Sequence, residues 1–106
     1  MSKLTRRDDG LFEVDGPMTF ETASELLRQG TEAIKSARDI RIDLQSVQRI
    51  DSAGLALAIE WLRIAQREQS KLSIIGQSDQ MKALVAASNL EALFEQDSPS
   101  ESVNGE

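Results

Sequence analysis

Asp51, Ser52 and Gly54, set in the run Arg49-Ile-Asp-Ser-Ala-Gly-Leu-Ala-Leu57, are the residues whose types and spacing could do chemistry. An acid, a hydroxyl and a glycine meet where an apolar strand pattern gives way to helical spacing. Asp51 or Ser52 is placed to cap a helix whose first amides have no partners. If Ser52 is only a cap, its loss to Ala costs roughly 0.5–2 kcal/mol. Ser52 as a nucleophile needs a neighbouring base. The chain has no His, Cys or Tyr, and no lysine has a placement that the pattern justifies, so no catalytic residue is expected. A hydroxyl displayed for another protein to grip fits better. Asp51, as a fixed acid, favours a basic docking patch. Ala53 and Gly54 are small at a helix start, which lowers helix propensity but lets a partner, the adjacent loop or the sheet come close to the backbone.

Composition narrows the function classes. With 106 residues and 40% hydrophobic content the chain fits one core. Without Cys and His there are no disulfides and none of the usual zinc or iron ligand sets. Neither a metal nor a cofactor is expected, since the six glycines form no dinucleotide fingerprint or phosphate-binding loop. The net charge of -6, with 12 basic residues scattered among 18 acidic ones, argues against nucleic acid. No apolar run approaches the roughly 20 residues that span a bilayer. Lys3, Arg6 and Arg7 are followed by Asp8-Asp9 and not by an apolar signal core. A long basic amphipathic helix is also lacking, so direct membrane insertion is not expected. A cytoplasmic location is.

The elements that must position the junction follow from periodicity. Lys3 to Arg7 and Leu11 to Val14 read as a hairpin around Asp8-Asp9-Gly10. Gly16-Pro17 breaks the pattern, and Thr19 or Thr22 opens a helix with Phe20, Ala23, Leu26, Leu27, Ala33 and Ile34 on one face. Ile40 to Leu44 and Leu72 to Ile75 read as strands, each preceded by a helix long enough for a crossover. The order is β-β-α-β-α-β-α, an α/β fold with parallel pairing among the later strands. Alternating charge in Ile40-Arg-Ile-Asp-Leu44 predicts a sheet with one face open to water. A last helix starts at Ser78 or Asp79, Asn89 suits a left-handed stop, and Leu90, Leu93 and Phe94 should fold back. Residues 1–96 read as a single domain. From Asp97 the apolar content fails, so 97–106 reads as a mobile acidic tail.

The central helix, about Ser52 to Glu68, carries two apolar stripes at 100° per residue. Leu55, Ala58, Ile59, Leu62 and Ala65 form one; Leu57, Trp61 and Ile64 form the other. The combined arc is on the order of 200°, about twice what a surface helix needs. Either neighbouring helices cover the second stripe, or part of it stays exposed near Ser52. In the second case Leu57 and Trp61 would support a docking footprint of Asp51, Ser52, Ala53, Gly54 and Leu55, because Trp is enriched among interface anchors.

The junction Asp51-Ser-Ala-Gly-Leu55 after the strand Ile40 to Leu44 resembles the signature of the STAS domain family. The longer run into Glu60-Trp61-Leu62, with Gly16-Pro-Met-Thr-Phe20 upstream, is similar to its MlaB branch, over roughly residues 3 to 94. The resemblance implies a mixed sheet with helices gathered mainly on one face. For the MlaB branch it implies a noncatalytic subunit that binds the cytoplasmic ATPase of a phospholipid-trafficking ABC transporter serving outer-membrane lipid asymmetry, so the chain would sit at the inner membrane only through that complex. For the antagonist branch it implies an anti-sigma factor serine kinase as partner, with Ser52 at the position of the phosphorylated serine. Some antagonists carry a second hydroxyl where this chain has Ala53, whereas the MlaB branch resembles it in having Ala.

Overall fold

Period-two alternation in short segments builds the sheet of this computed structural model, which describes residues 1–94. Lys3–Asp8 (β1) and Leu11–Asp15 (β2) pair antiparallel, and the turn between them rests on Gly10 at φ +70°, a region glycine enters without a steric penalty. Asp39–Asp43 (β3) and Lys71–Ile75 (β4) complete the order β1-β2-β3-β4, with the two later pairs parallel. Parallel neighbours need crossovers. Phe20–Lys35 (α1) and Ser52–Arg67 (α2) supply them. Asp79–Ala87 (α3) is capped by the Ser78 hydroxyl, which accepts from the Met81 amide at 3.1 Å, and the chain then turns through Asn89 at φ 58°. Glu91–Phe94 (α4) is a short helix beyond the expected order, and it lays Phe94 onto the core. The tail expected over 97–106 lies outside the described residues.

The expected open sheet face is present. Ile40, Ile42, Leu72 and Ile74 are buried beneath the helices, while Arg41 between them is exposed. On the outer face Arg7 pairs with Glu13 at 2.8 Å and the Thr5 hydroxyl donates to Asp15 at 2.9 Å. The β1 edge is guarded, because the Leu4 amide donates to Gln29 Oε1 at 2.6 Å, which leaves that amide unavailable to a foreign strand.

One expectation about packing is corrected, and one open alternative is decided. Phe20 is 78% exposed and does not join the core. The buried stripe of α1 is Leu26, Gly30, Ala33 and Ile34; Phe20 lies about 40° from Ile34 at 100° per residue, but it stands at the first helical position, ahead of Leu26 where burial begins. The second stripe of α2 is covered: Leu57, Trp61 and Ile64 are all buried. Gly30 makes that cover possible. A Cβ at Gly30 would collide with the Trp61 indole ring, so the missing side chain on α1 is the seat for the large one on α2. The indole Nε1 finds no hydrogen-bond partner among the described residues.

Candidate functional site

The ends of β2 and β3 lead into α1 and α2 at the same end of the sheet, and the two connections lie against each other. Met18 and Ile50 form an isolated parallel bridge. The Met18 amide donates to the Arg49 carbonyl at 2.9 Å, and the Asp51 amide donates back to the Met18 carbonyl at 3.3 Å. This pinch brings two helix N-termini side by side, with Thr19 and Asp51 as their extended cap residues. At α1 the Thr19 amide donates to the Thr22 hydroxyl at 2.9 Å, and that hydroxyl donates to the Pro17 carbonyl at 2.9 Å. Thr19 therefore opens α1, and Thr22 lies within its first turn.

Asp51 serves both helices. Its Oδ1 accepts from the Gly54 amide at 3.1 Å, and its Oδ2 accepts from the Phe20 amide at 3.2 Å across the pinch. Amides in the first helical turn otherwise lack partners, and a carboxylate there also meets the positive end of the helix dipole. The Gly54 amide above all, with the Phe20 amide and nearby Arg49 assisting, holds the Asp51 carboxyl below its ordinary value, against an opposing push from burial.

Each remaining residue of the proposed footprint has a definite place. Ser52 is exposed as the first residue of α2, and with Asp51 doing the capping its hydroxyl has no capping duty. Ala53 is half-buried. Gly54 is buried, and a Cβ on it would run into the Met18 carbonyl, so its smallness serves the neighbouring loop and not a partner. Leu55, Leu57 and Trp61 are buried as well. These four pack inward and are not free contact residues: the α1 entry loop lies against Gly54, α1 lies over Trp61, and Leu55 and Leu57 belong to the core. The accessible footprint on this stretch contracts to Asp51, Ser52 and part of Ala53.

One surface residue escaped the sequence reading. Phe20, beside Ser52 through the Asp51 bond, is with Met1 one of the two exposed large hydrophobic residues among those described. A shallow groove of about 310 Å³ runs between the helices, walled by Ala23, Ser24 and Leu27 on α1 and by Ala53, Ala56, Leu57 and Glu60 on α2, so Leu57, although nearly buried, still lines it. The available signal was the place of Phe20 at the very start of the helix, ahead of the first buried position, Leu26. Among the described residues no cluster of three acidic, His or Cys side chains is placed to hold a metal, and no helix is long and apolar enough to cross a membrane.

The sequence profile described as "Mlab, STAS domain" matches residues 3–95. The chain belongs to the STAS domain family. Solved structures share this STAS fold. The anti-sigma factor antagonist SpoIIAA in its unphosphorylated form is similar with a TM-score of 0.63 at 13% identity, covering 81% of this chain and 82% of that one. The Bacillus cell fate determinant SpoIIAA in the phosphorylated form is similar at 0.65 and 15% identity, covering 85% of each. The crystal structure of Mglu is similar at 0.60 and 23% identity, covering 73% of this STAS domain but 20% of that chain. A comparison with curated protein sequences finds no match.

Proposed function

We propose that this STAS domain is a noncatalytic accessory subunit that binds the cytoplasmic ATPase of a phospholipid-trafficking ABC transporter and supports its assembly or activity in outer-membrane lipid asymmetry. The observation that carries the reading is the division of labour at the α2 start. Asp51 caps α2 and also accepts from the first amide of α1, whose own cap is Thr19, and the Ser52 hydroxyl stays exposed, with no hydrogen-bond partner among the described residues, beside half-buried Ala53. The match to the family described as Mlab supports the choice of partner. The proposed contact residues are Asp51, Ser52 and Ala53. Co-purification from the native cell tests the reading: an ATPase subunit should accompany the wild-type chain, and Ser52→Asp should weaken its retention by adding a negative charge to the contact.

A second reading has its own support, since SpoIIAA has been solved in unphosphorylated and phosphorylated forms with this fold. In that reading the chain is an anti-sigma factor antagonist, and Ser52 is its phosphoacceptor for a serine kinase. A phosphate at Ser52 would gain from the amide end of α2 and add nearly two negative charges to the face, switching binding with little effect on folding. Recovery of a serine kinase in place of an ATPase, with phosphate mapped to Ser52, selects this reading. Should neither partner appear and Ser52→Asp change nothing, both readings fail.

A further inference from the structure

Phe20 leaves most of its ring in water at the head of the groove between α1 and α2, one turn from Ala23 and Ser24 on the same helix face. Its ring contributes little to the core, so the reason for an aromatic at the first helical position lies elsewhere. Aromatic side chains are enriched among the few interface residues that carry most binding energy. The groove that continues from it is small and open, at the lower limit of small-molecule pockets and walled mainly by alanine and leucine side chains, so it suits side chains offered by another protein better than a free ligand. The charge around it has a sign. Glu21 follows Phe20, Asp51 holds the Phe20 amide, and Glu60 closes the far end; Arg63 is paired to Glu60 at 3.4 Å, and Arg28 is held by Glu25 and Glu32. Arg49, near Asp51, is the cation that partly offsets this rim.

We propose that Phe20 is the apolar anchor of the docking face, received by an apolar socket on the partner that is rimmed by Lys or Arg, while an apolar helix ridge of the same partner lies in the Ala23–Ala53–Ala56 groove. This rests on the ATPase reading above and enlarges its footprint from one helix start to two. The basic rim follows from Glu21 and Asp51, which would repel an acidic partner and speed the encounter with a basic one, whereas Glu60 is neutralised by Arg63.

Titration calorimetry of the purified chain against the purified ATPase subunit tests the proposal. Wild type should bind, and Phe20→Ala should weaken binding about thirtyfold or more, a change typical of an anchor residue. Its thermal midpoint and Trp61 emission should be unchanged, because an exposed ring contributes little to the core. Raising salt should weaken the wild-type complex, as expected of charges at an interface rim. Equal binding by Phe20→Ala overturns the anchor and leaves the ATPase reading standing, whereas a wild type that does not bind the ATPase overturns that reading itself. Binding indifferent to salt overturns the basic rim. A wild-type dimer in sedimentation that Phe20→Ala converts to monomer assigns the face to a second copy of this chain and overturns the proposal.

Discussion

Because the Asp51 carboxylate accepts from Gly54 on its own helix and from Phe20 on the other, its removal strips a partner from both helix starts at once. Chemical denaturation should therefore give a lower midpoint for Asp51→Ala than for wild type. Ser52→Ala should stay within about 0.5 kcal/mol, the usual range for a surface change that breaks no cap. A Ser52→Ala variant as unstable as Asp51→Ala would give the hydroxyl a structural duty and remove the case for a displayed one. The acid limb of stability is a second readout. The folded carboxyl titrates below its ordinary 3.8, so the contribution is complete above that value and is lost as pH falls through the lower, folded one. Asp51→Asn should abolish this part. Glu13, held low by Ser46 and Arg7, and Glu25, held at about 2 by Arg28, lose their charge in the same acid region. The difference between wild type and Asp51→Asn therefore reports Asp51, and a constant difference across that region would overturn its assignment. The sequence placed Asp51 at a cap because capping is local. It could not show the second bond, whose donor lies 31 residues away.

Among the elements, α1 and α2 owe their close approach to a hole in one helix filled by the other. Gly30 sits inside α1, where glycine costs about 1 kcal/mol relative to alanine in helix propensity. The Trp61 ring occupies the vacated space. Gly30→Ala regains that propensity but forces a methyl group into a buried indole, and overpacking of this kind costs typically 1–3 kcal/mol. A net destabilisation on the order of 1–2 kcal/mol is expected, with the emission of the sole tryptophan shifting to the red as the ring moves toward water. A more stable Gly30→Ala with unchanged emission would show that the helices part freely. The four strands and the three longer helices were legible to within about a residue or two of their observed limits, since alternation and caps are written locally, whereas the one-turn α4 was not. Which stripe of α2 would be covered was not legible. That depends on where Gly30 meets Trp61, and a helix projection holds no information about a second helix. Phe20 shows the complementary limit: its apolar character and angle, about 40° from Ile34, suggested the core, while its place at the first helical position left it beyond the buried stretch.

At the scale of the whole molecule, the open sheet face and the paired helix starts are two broad surfaces of different chemistry. The first is a polar ladder in which Arg7, Glu13, Asp15 and Thr5 satisfy one another, with Arg41 exposed at its middle. The second combines an exposed aromatic ring, an uncommitted hydroxyl and an alanine-walled groove. Groups already paired have little to gain from a partner, since their hydrogen bonds must be broken before new ones form. Exposed apolar surface gains simply by leaving water. A charge reversal on the sheet, Arg41→Glu, should therefore leave ATPase retention in a pull-down from the native cell unchanged, while Ser52→Asp lowers it. Arg41→Glu shifts the net charge by two units and Ser52→Asp by one, both toward the negative, so a general effect of net charge predicts the larger loss from Arg41→Glu. A loss from Arg41→Glu equal to or larger than that from Ser52→Asp would remove the case for a docking face at the helix starts, and a loss confined to Arg41→Glu would move that face to the sheet and leave the outward hydroxyl of Ser52 without a partner.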